Sequence, residues 1–528
     1  MKRHTLIVLL LLLVTLPVQA QIASMRRNAE KIASALYFIQ THYVDTVDMD
    51  KAVDTMLEGL MNGLDPHSSY IPRDKVQSTN ESLDGSFEGV GIEYVMLADT
   101  LTIQSVISGG PSEAVGLRAG DKIVAVDGEN VAGVHLAAED MRKRLRGPKG
   151  SKVSVTVLRN GELQDYVIRR DTIPIESVEA AYAPEPGITY IKLSRFAQNT
   201  DEEFLNALGK VSEHRPDGMI IDLRGNGGGF MHVAVFLANL FLEEGQVIVR
   251  TEGNGIDRVD KAQGINLYPD GPLVVLVDES SASASEILSG ALQDWDRAVI
   301  VGRRTFGKGL VQQQYALPDG SEIRLTVARY HTPSGRVVQS PYQRGHRDEY
   351  YQAIQARYDR GESFSLDSIA LPDSLKYQTL KLGRTVYGGG GILPDVFIPY
   401  DTTGINRFFM RAVSSGRLSE FAYEYADKHR SELAADDFAA FEKKWEKRED
   451  SIFSEMIAFF AEKGLEAESE EELEECASLL KIRLEALLAR SALGSTAYWQ
   501  VINRYDDPAF QEALRIVKEW NGAFPALP

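Results

Sequence analysis

The chain has 528 residues, enough for two to four domains, and its 44% hydrophobic and 25% charged residues are the balance of a folded globular protein. Its formal charge of −19 leaves no electrostatic basis for binding nucleic acid. The one cysteine, Cys476, excludes an intramolecular disulfide and every Cys-rich zinc arrangement.

The first twenty residues, "MKRHTLIVLLLLLVTLPVQA", pair a basic start (Lys2, Arg3) with an apolar run from Leu6 to Leu16, a breaker at Pro17 and small Val18 and Ala20. This is the pattern of a signal peptide cut after Ala20, with an apolar run too short to span a bilayer. Loss of Lys2 and Arg3 takes the charge from −19 to −21. No later stretch is long and apolar enough to cross a membrane, so no stable insertion is expected after leader removal. Position 21 is not cysteine, which argues against a lipid anchor there. Export to the periplasm follows as the expectation, with the outer surface left open.

Residues 24–81 read as an N-terminal helical region, because Ala33, Leu36 and Ile39, then Val53, Met56, Leu57 and Leu60, recur at helical steps. "GLDPHSSYIP" breaks the pattern. Residues 82–172 change to short β-branched runs bounded by glycine and by "DG" and "NG" turns, with two short helices between them: a compact β-rich domain. From 173 to 400 strands alternate with helices. "GMIIDLRG", "PLVVLVDE" and "RAVIVGR" are buried strands, and strand–loop–helix units build a largely parallel sheet with ligands at the strands' carboxyl ends. "LVQQQYAL", a "PDG" turn and "SEIRLTVARY" form a hairpin. Residues 341–385 are polar and charged, the pattern of a surface excursion. From 401 to 528 the chain reads as helix, acidic around "EAESEEELEE". The fold class is therefore α/β and multidomain.

Three stretches carry the candidate chemistry. In "SSASASEILSGALQDW", Ala284, Ile287, Leu288, Ala291, Leu292 and Trp295 form one helical face, and Ser283 precedes them with Glu286 three residues on. One reading is a capping box, Glu286 reaching back to the Ser283 amide. The other is a nucleophilic serine beside the free amides of a helix start. Composition leaves both open. A nucleophile needs a base. No G-x-S-x-G elbow or triad motif is present, and His331 is the best histidine. A lysine is the alternative: in "GRRTFGKGLVQ", Lys308 stands between glycines beside apolar Phe306, Leu310 and Val311, where desolvation would favour its neutral form. A plain surface lysine is the competing reading. "DLRGNGGGF" is either a flexible turn or a set of exposed amides able to hold an oxyanion.

Rival motifs fail on detail. "GRRTFGKG" has phosphate-loop spacing, but Gly309 stands where the magnesium-binding hydroxyl belongs, and "GNGGGF" puts Phe230 where a dinucleotide fingerprint needs glycine. No H-E-x-x-H occurs. Nothing calls for a cofactor or a metal.

In this order, the leader, the β-rich domain, "DLRGNGGG", "SSASASEI" and "GKGLVQ" resemble the C-terminal processing peptidases, also called tail-specific proteases. "LDPHSSYIP" upstream and "GGGGILPD" downstream match as well, so the resemblance covers about residues 30 to 400. It implies a core related to the crotonase and Clp-protease folds, with a PDZ-like domain at 82–172 and helical N- and C-terminal regions. It implies a Ser/Lys dyad: Ser283 as nucleophile, Lys308 as base and Gln312, four residues on, as the base's support, sharing a face with Lys308 if that turn is helical. The amides of Gly229 and Ala284 match the oxyanion hole, and Glu286 is read as orienting. The PDZ-like domain implies protein substrates with accessible C-terminal tails, a tail carboxylate being held by the amides of Val90, Gly91 and Ile92 in "FEGVGIEYV" while the peptide extends the sheet. For the C-terminal helices two readings stand: an accessory cap, or a homodimer contact together with the N-terminal helices. A catalytically silent PDZ scaffold is the rival function.

Overall fold

The computed structural model describes residues 2–520 apart from Ala98, Glu213, Asn266 and Pro269, with side chains from Ile22 onward. The expected leader at 1–20 thus lies outside the described side chains. Its backbone belongs to helix α1, Lys2–His42. Among the described residues no helix is long and apolar enough to cross a membrane.

The chain forms two compact units. The smaller comprises the chain up to Asp74 with 313–325 and 342–348. In it α1 is followed by α2, Met49–Asn62, which Asp48 caps by accepting the Lys51 amide at 3.1 Å. The "LDPHSSYIP" turn is held by Asp65, which accepts the His67 and Ser68 amides at 2.9 Å each.

The larger unit opens with the PDZ-like domain. Its sheet takes strands from 92–97 to 162–169, and a two-stranded ribbon pairs 86–89 with 171–174. Helix α3, Ala138–Leu145, closes the core by burying Met141 and Leu145 with Val90, Ile92 and the inward residues of the sheet.

The second sheet runs β1 (Val178–Glu185), β2 (Ile188–Leu193), β3 (Gly218–Asp222), β4 (Leu273–Val277), β5 (Val299–Gly302) and, beyond the hairpin, β8 (Val396–Phe397), paired in that order. Only β1 and β2 pair antiparallel; the rest are parallel. The hairpin comprises β6 (Leu310–Ala316) and β7 (Glu322–His331). Side chains alternate faces along a strand, and both faces are buried. Ile191, Met219, Ile221, Val275 and Ile300 face helices α4 (Met231–Asn239) and α5 (Ala284–Asp294). Tyr190, Ile220, Val274, Leu276, Val299 and Val301 face a helix from the far end of the chain, α9 (Pro508–Glu519). The excursion after the hairpin contains helix α6, Arg347–Asp359. The C-terminal helices, including α7 (Glu470–Leu493) and α8 (Ser495–Tyr505), pack a core of their own around Phe408, Phe441, Phe460 and Leu480.

Candidate active site

Strands β3, β4 and β5 are adjacent and parallel, so the loops leaving their carboxyl ends converge. The first carries the glycine run into α4, the second carries Ser283 into α5, and the third carries Lys308 into β6. Three motifs far apart in sequence thereby become neighbours.

The serines separate by their hydrogen bonds. Buried Ser281 donates to the Leu223 carbonyl at 2.8 Å, Ser285 to the Asn226 carbonyl at 2.9 Å, and Ser289 to the Ser285 carbonyl at 2.7 Å. The first two hydroxyls stitch the second loop to the first, while the third stays within α5. Ser280 is exposed. Half-buried Ser283 sits at the N-cap of α5 with φ 54° and ψ −110°, a left-handed conformation that a side chain strains.

Glu286 is fully buried, and its carboxylate joins the second loop to the third. One oxygen accepts the Ser283 amide at 2.9 Å and the Lys308 amide at 2.8 Å. The other accepts the Gly307 amide at 2.8 Å and the Thr305 hydroxyl at 2.6 Å. Burial pushes its carboxyl above the usual range, against the pull of these donors. The carbonyls are tied in parallel: the buried Tyr330 hydroxyl donates to the Lys308 carbonyl at 2.7 Å and lies 3.2 Å from the Ser283 carbonyl. Burial first, then the nearby Glu286, pushes the Tyr330 phenol well up, so it stays a donor. The capping-box reading therefore holds for its Glu286 half, and the same carboxylate also grips the lysine loop.

Half-buried Lys308 donates from Nζ to Gln312 Oε1 at 2.9 Å. The pair does not lie on a helical turn: Gln312 is on strand β6, and Lys308 is in the loop that leads into it. His331 is elsewhere, on β7, 3.4 Å from Glu252.

The glycine run approaches the serine closely. Gly228 has φ +96°, and a Cβ there would stand 2.8 Å from Ser283 Cβ and 2.9 Å from the Ala284 nitrogen. Among the described residues, neither the Gly229 amide nor the Ala284 amide donates a hydrogen bond. Two residues that sequence reasoning passed over shape this region. Fully buried Asn226 accepts the Ala282 amide on its carbonyl at 3.0 Å and the Gly228 amide on Oδ1 at 2.9 Å. Arg357, on α6, donates to the carbonyls of Thr305 and Phe306 at 3.1 Å each. The excursion thus braces the lysine loop. Asn226 was visible inside the glycine motif, but nothing local marks Arg357.

In the PDZ-like domain Val90, Gly91 and Ile92 line a cavity of about 160 Å³ with Phe87, Tyr94, Arg142, Leu145 and Arg146. The Val90 carbonyl accepts the Ser112 amide at 3.1 Å and the Gly91 carbonyl accepts the Ile107 amide at 3.0 Å, which fixes the turn. Arg146 lies over the Phe87 ring at 4.6 Å and pairs with Glu81. The two arginines are four apart at the end of α3, a spacing that could have flagged them as a cationic pair beside the expected carboxylate.

The family model of peptidase family S41 matches residues 187–343, a PDZ domain matches 89–169, and a family of unknown function matches 408–494. The carboxy-terminal processing protease CtpB of Bacillus subtilis (strain 168) is 35% identical over 61% of this chain and 68% of its own length. The carboxy-terminal-processing protease of Bartonella bacilliformis is 36% identical over 57% of this chain and 70% of its own. Among solved structures, a photosystem II D1 C-terminal processing protease aligns at 31% identity over 57% of this chain and 82% of its own, with a TM-score of 0.34.

Proposed function

The chain belongs to the carboxy-terminal processing proteases of peptidase family S41, and on that footing we propose that it is an exported Ser/Lys endopeptidase that cuts proteins near their C-termini. Lys308, in its neutral form and oriented by Gln312, takes the hydroxyl proton of Ser283. The Ser283 oxygen attacks the peptide carbonyl. The amides of Gly229 and Ala284 receive the oxyanion, each worth on the order of 3 kcal/mol to the transition state. Collapse expels the amine, which takes that proton from Lys308; water, giving a proton to the neutral Lys308, then hydrolyses the acyl-enzyme, and Ser283 regains its proton from Lys308.

The observation that carries this reading is the carboxylate of Glu286, which accepts the amides of both Ser283 and Lys308 on one oxygen. A carboxylate buried for capping alone would have no reason to reach the lysine loop. The PDZ-like cavity supports tail recognition: its amides and the neighbouring Arg142 and Arg146 suit a carboxylate, and Phe87, Ile92 and Leu145 suit an apolar last side chain. The leader pattern supports the periplasm. Exposed Ile22, Met25, Tyr37 and Phe38 on α1 support pairing of two copies through that helix.

A fluorophosphonate probe and a quenched peptide with a free C-terminus test the dyad. The native chain should be labelled and should cleave. Ser283→Ala should do neither, and Lys308→Arg should be inactive because a guanidinium stays charged. Normal cleavage by a folded Lys308→Arg protein, or labelling of Ser283→Ala, would overturn the assignment and return the silent scaffold.

A further inference from the structure

The last described helix, α9, is tied to the first residues of the glycine loop. Asp507 is the N-cap of α9, accepting the Phe510 amide on Oδ1 at 2.9 Å. Both its oxygens also meet the guanidinium of Arg224, at 2.8 Å and 2.6 Å. Arg224 leaves the end of β3 and grips Asp222 as well, through Nε at 2.9 Å and a terminal nitrogen at 2.6 Å. Its backbone is held on both sides: its amide donates to Asp222 at 2.9 Å, and its carbonyl accepts Lys192 Nζ at 3.0 Å. Burial alone would raise the Asp222 carboxyl, but the Arg224 and Lys192 charges outweigh it and hold it well below its usual range.

From Arg224 the constraint passes along the loop. The Gly225 amide donates to Asp278 at 3.0 Å, the Asn226 amide to the Leu223 carbonyl at 3.1 Å, and the Gly228 amide to Asn226 Oδ1 at 2.9 Å. The next amide is that of Gly229. Buried ion pairs are poor sources of net stability, since apolar residues of equal volume do as well, but they fix geometry. A donor aimed at an oxyanion must be held to within a fraction of an ångström.

We infer that Asp507 is a positioning residue for catalysis: acting through Arg224, it fixes the turn that presents the Gly229 amide, so α9 belongs to the peptidase machinery. The inference rests on the Ser/Lys reading above and adds a part of the chain that lies outside the matched peptidase family model.

The test is steady-state cleavage of a quenched peptide with a free C-terminus by the full chain. Asp507→Asn, which keeps the cap acceptor and the shape, should lower kcat at least tenfold, leave KM within twofold and shift the melting temperature by only a few degrees. In an Arg224→Lys background the same change should cost less than twofold more, because the route is already cut. A helix that merely docks would instead give additive effects and no kcat-selective loss. If the asparagine variant melts below the assay temperature, Asp507→Glu replaces it: the charge remains, the arm is one methylene longer, and a kcat-selective loss of threefold or more is expected. A folded variant at position 507 with kcat within twofold of the native chain overturns the inference. Ser283→Ala is run beside it: retained cleavage there overturns the dyad and this inference together, whereas lost cleavage there with an unchanged Asp507→Asn kcat overturns this inference alone.

Discussion

Ser283 stands at φ 54°, where a residue with a side chain bears strain of order 1–3 kcal/mol that its surroundings must sustain. The Glu286 carboxylate and the Tyr330 hydroxyl do so by holding its amide and its carbonyl. Glycine suits this conformation, so Ser283→Gly should abolish cleavage yet raise stability by about 1 kcal/mol. A melting temperature below that of the native chain would show that the conformation is not strained. Glu286→Gln tests the opposite case. Four donors converge on the carboxylate, and an amide offers one oxygen and one NH2, so at least one backbone N–H must face another donor. The expected loss is about 1–3 kcal/mol in stability, with cleavage falling at least tenfold because the two loops separate. Near-native cleavage by Glu286→Gln would detach this residue from the dyad's geometry.

At the scale of elements, the sequence told more about chemistry than about the elements bearing it. Gln312 was expected beside Lys308 on a helical turn and instead reaches it from strand β6, while Lys308 stands in the loop that leads into that strand. The excursion after the hairpin read as surface because Arg357 and Glu362 look like solvated charges until the loop they brace is in place. The parallel strands were legible because a strand buried on both faces writes an unbroken apolar run. The acidic C-terminal helices hide a further feature. On α7, Glu485 is only 4% exposed, and its Oε1 has no hydrogen-bond partner among the described residues. Burial first, then the charges of Glu449 and Glu446, pushes its carboxyl up to about 7. A carboxyl raised in the fold binds its proton more tightly there than in the unfolded chain. Its stabilising contribution is complete below the ordinary value of 4.5 and is lost as pH rises through about 7. The difference is on the order of 3 kcal/mol. Other carboxylates titrate with the opposite slope, so the comparison must be with Glu485→Gln. Between pH 5 and pH 8.5 the native chain should lose stability relative to that variant. Parallel melting curves across this range would refute a buried, protonated Glu485.

For the whole molecule, the question is what covers the second face of the parallel sheet. Helices α4 and α5 cover one face, and they also carry the loops of the site. The other face is covered by Phe510, Ala513, Ile516 and Val517 of α9, nearly three hundred residues after β3. No local pattern announces this, because the amphipathic face of α9 looks like that of any helix in the acidic C-terminal region. The approach is tight at Gly218, the first residue of β3, where an added Cβ would run into a methyl of Val517. Backbone strain plays no part there, since Gly218 is not among the residues with positive φ. Gly218→Ala should therefore destabilise the chain by about 1–3 kcal/mol through overpacking alone. It should also lower kcat, because tilting α9 moves Asp507 and with it Arg224. Val517→Ala should destabilise by about 1–3 kcal/mol through the space it leaves. Combined, the two changes fill one another: the double variant should be more stable than the sum of the single losses and should recover cleavage toward the native rate. Strictly additive losses measured by urea unfolding, with no recovery of kcat, would mean that α9 does not seat on β3 through this contact.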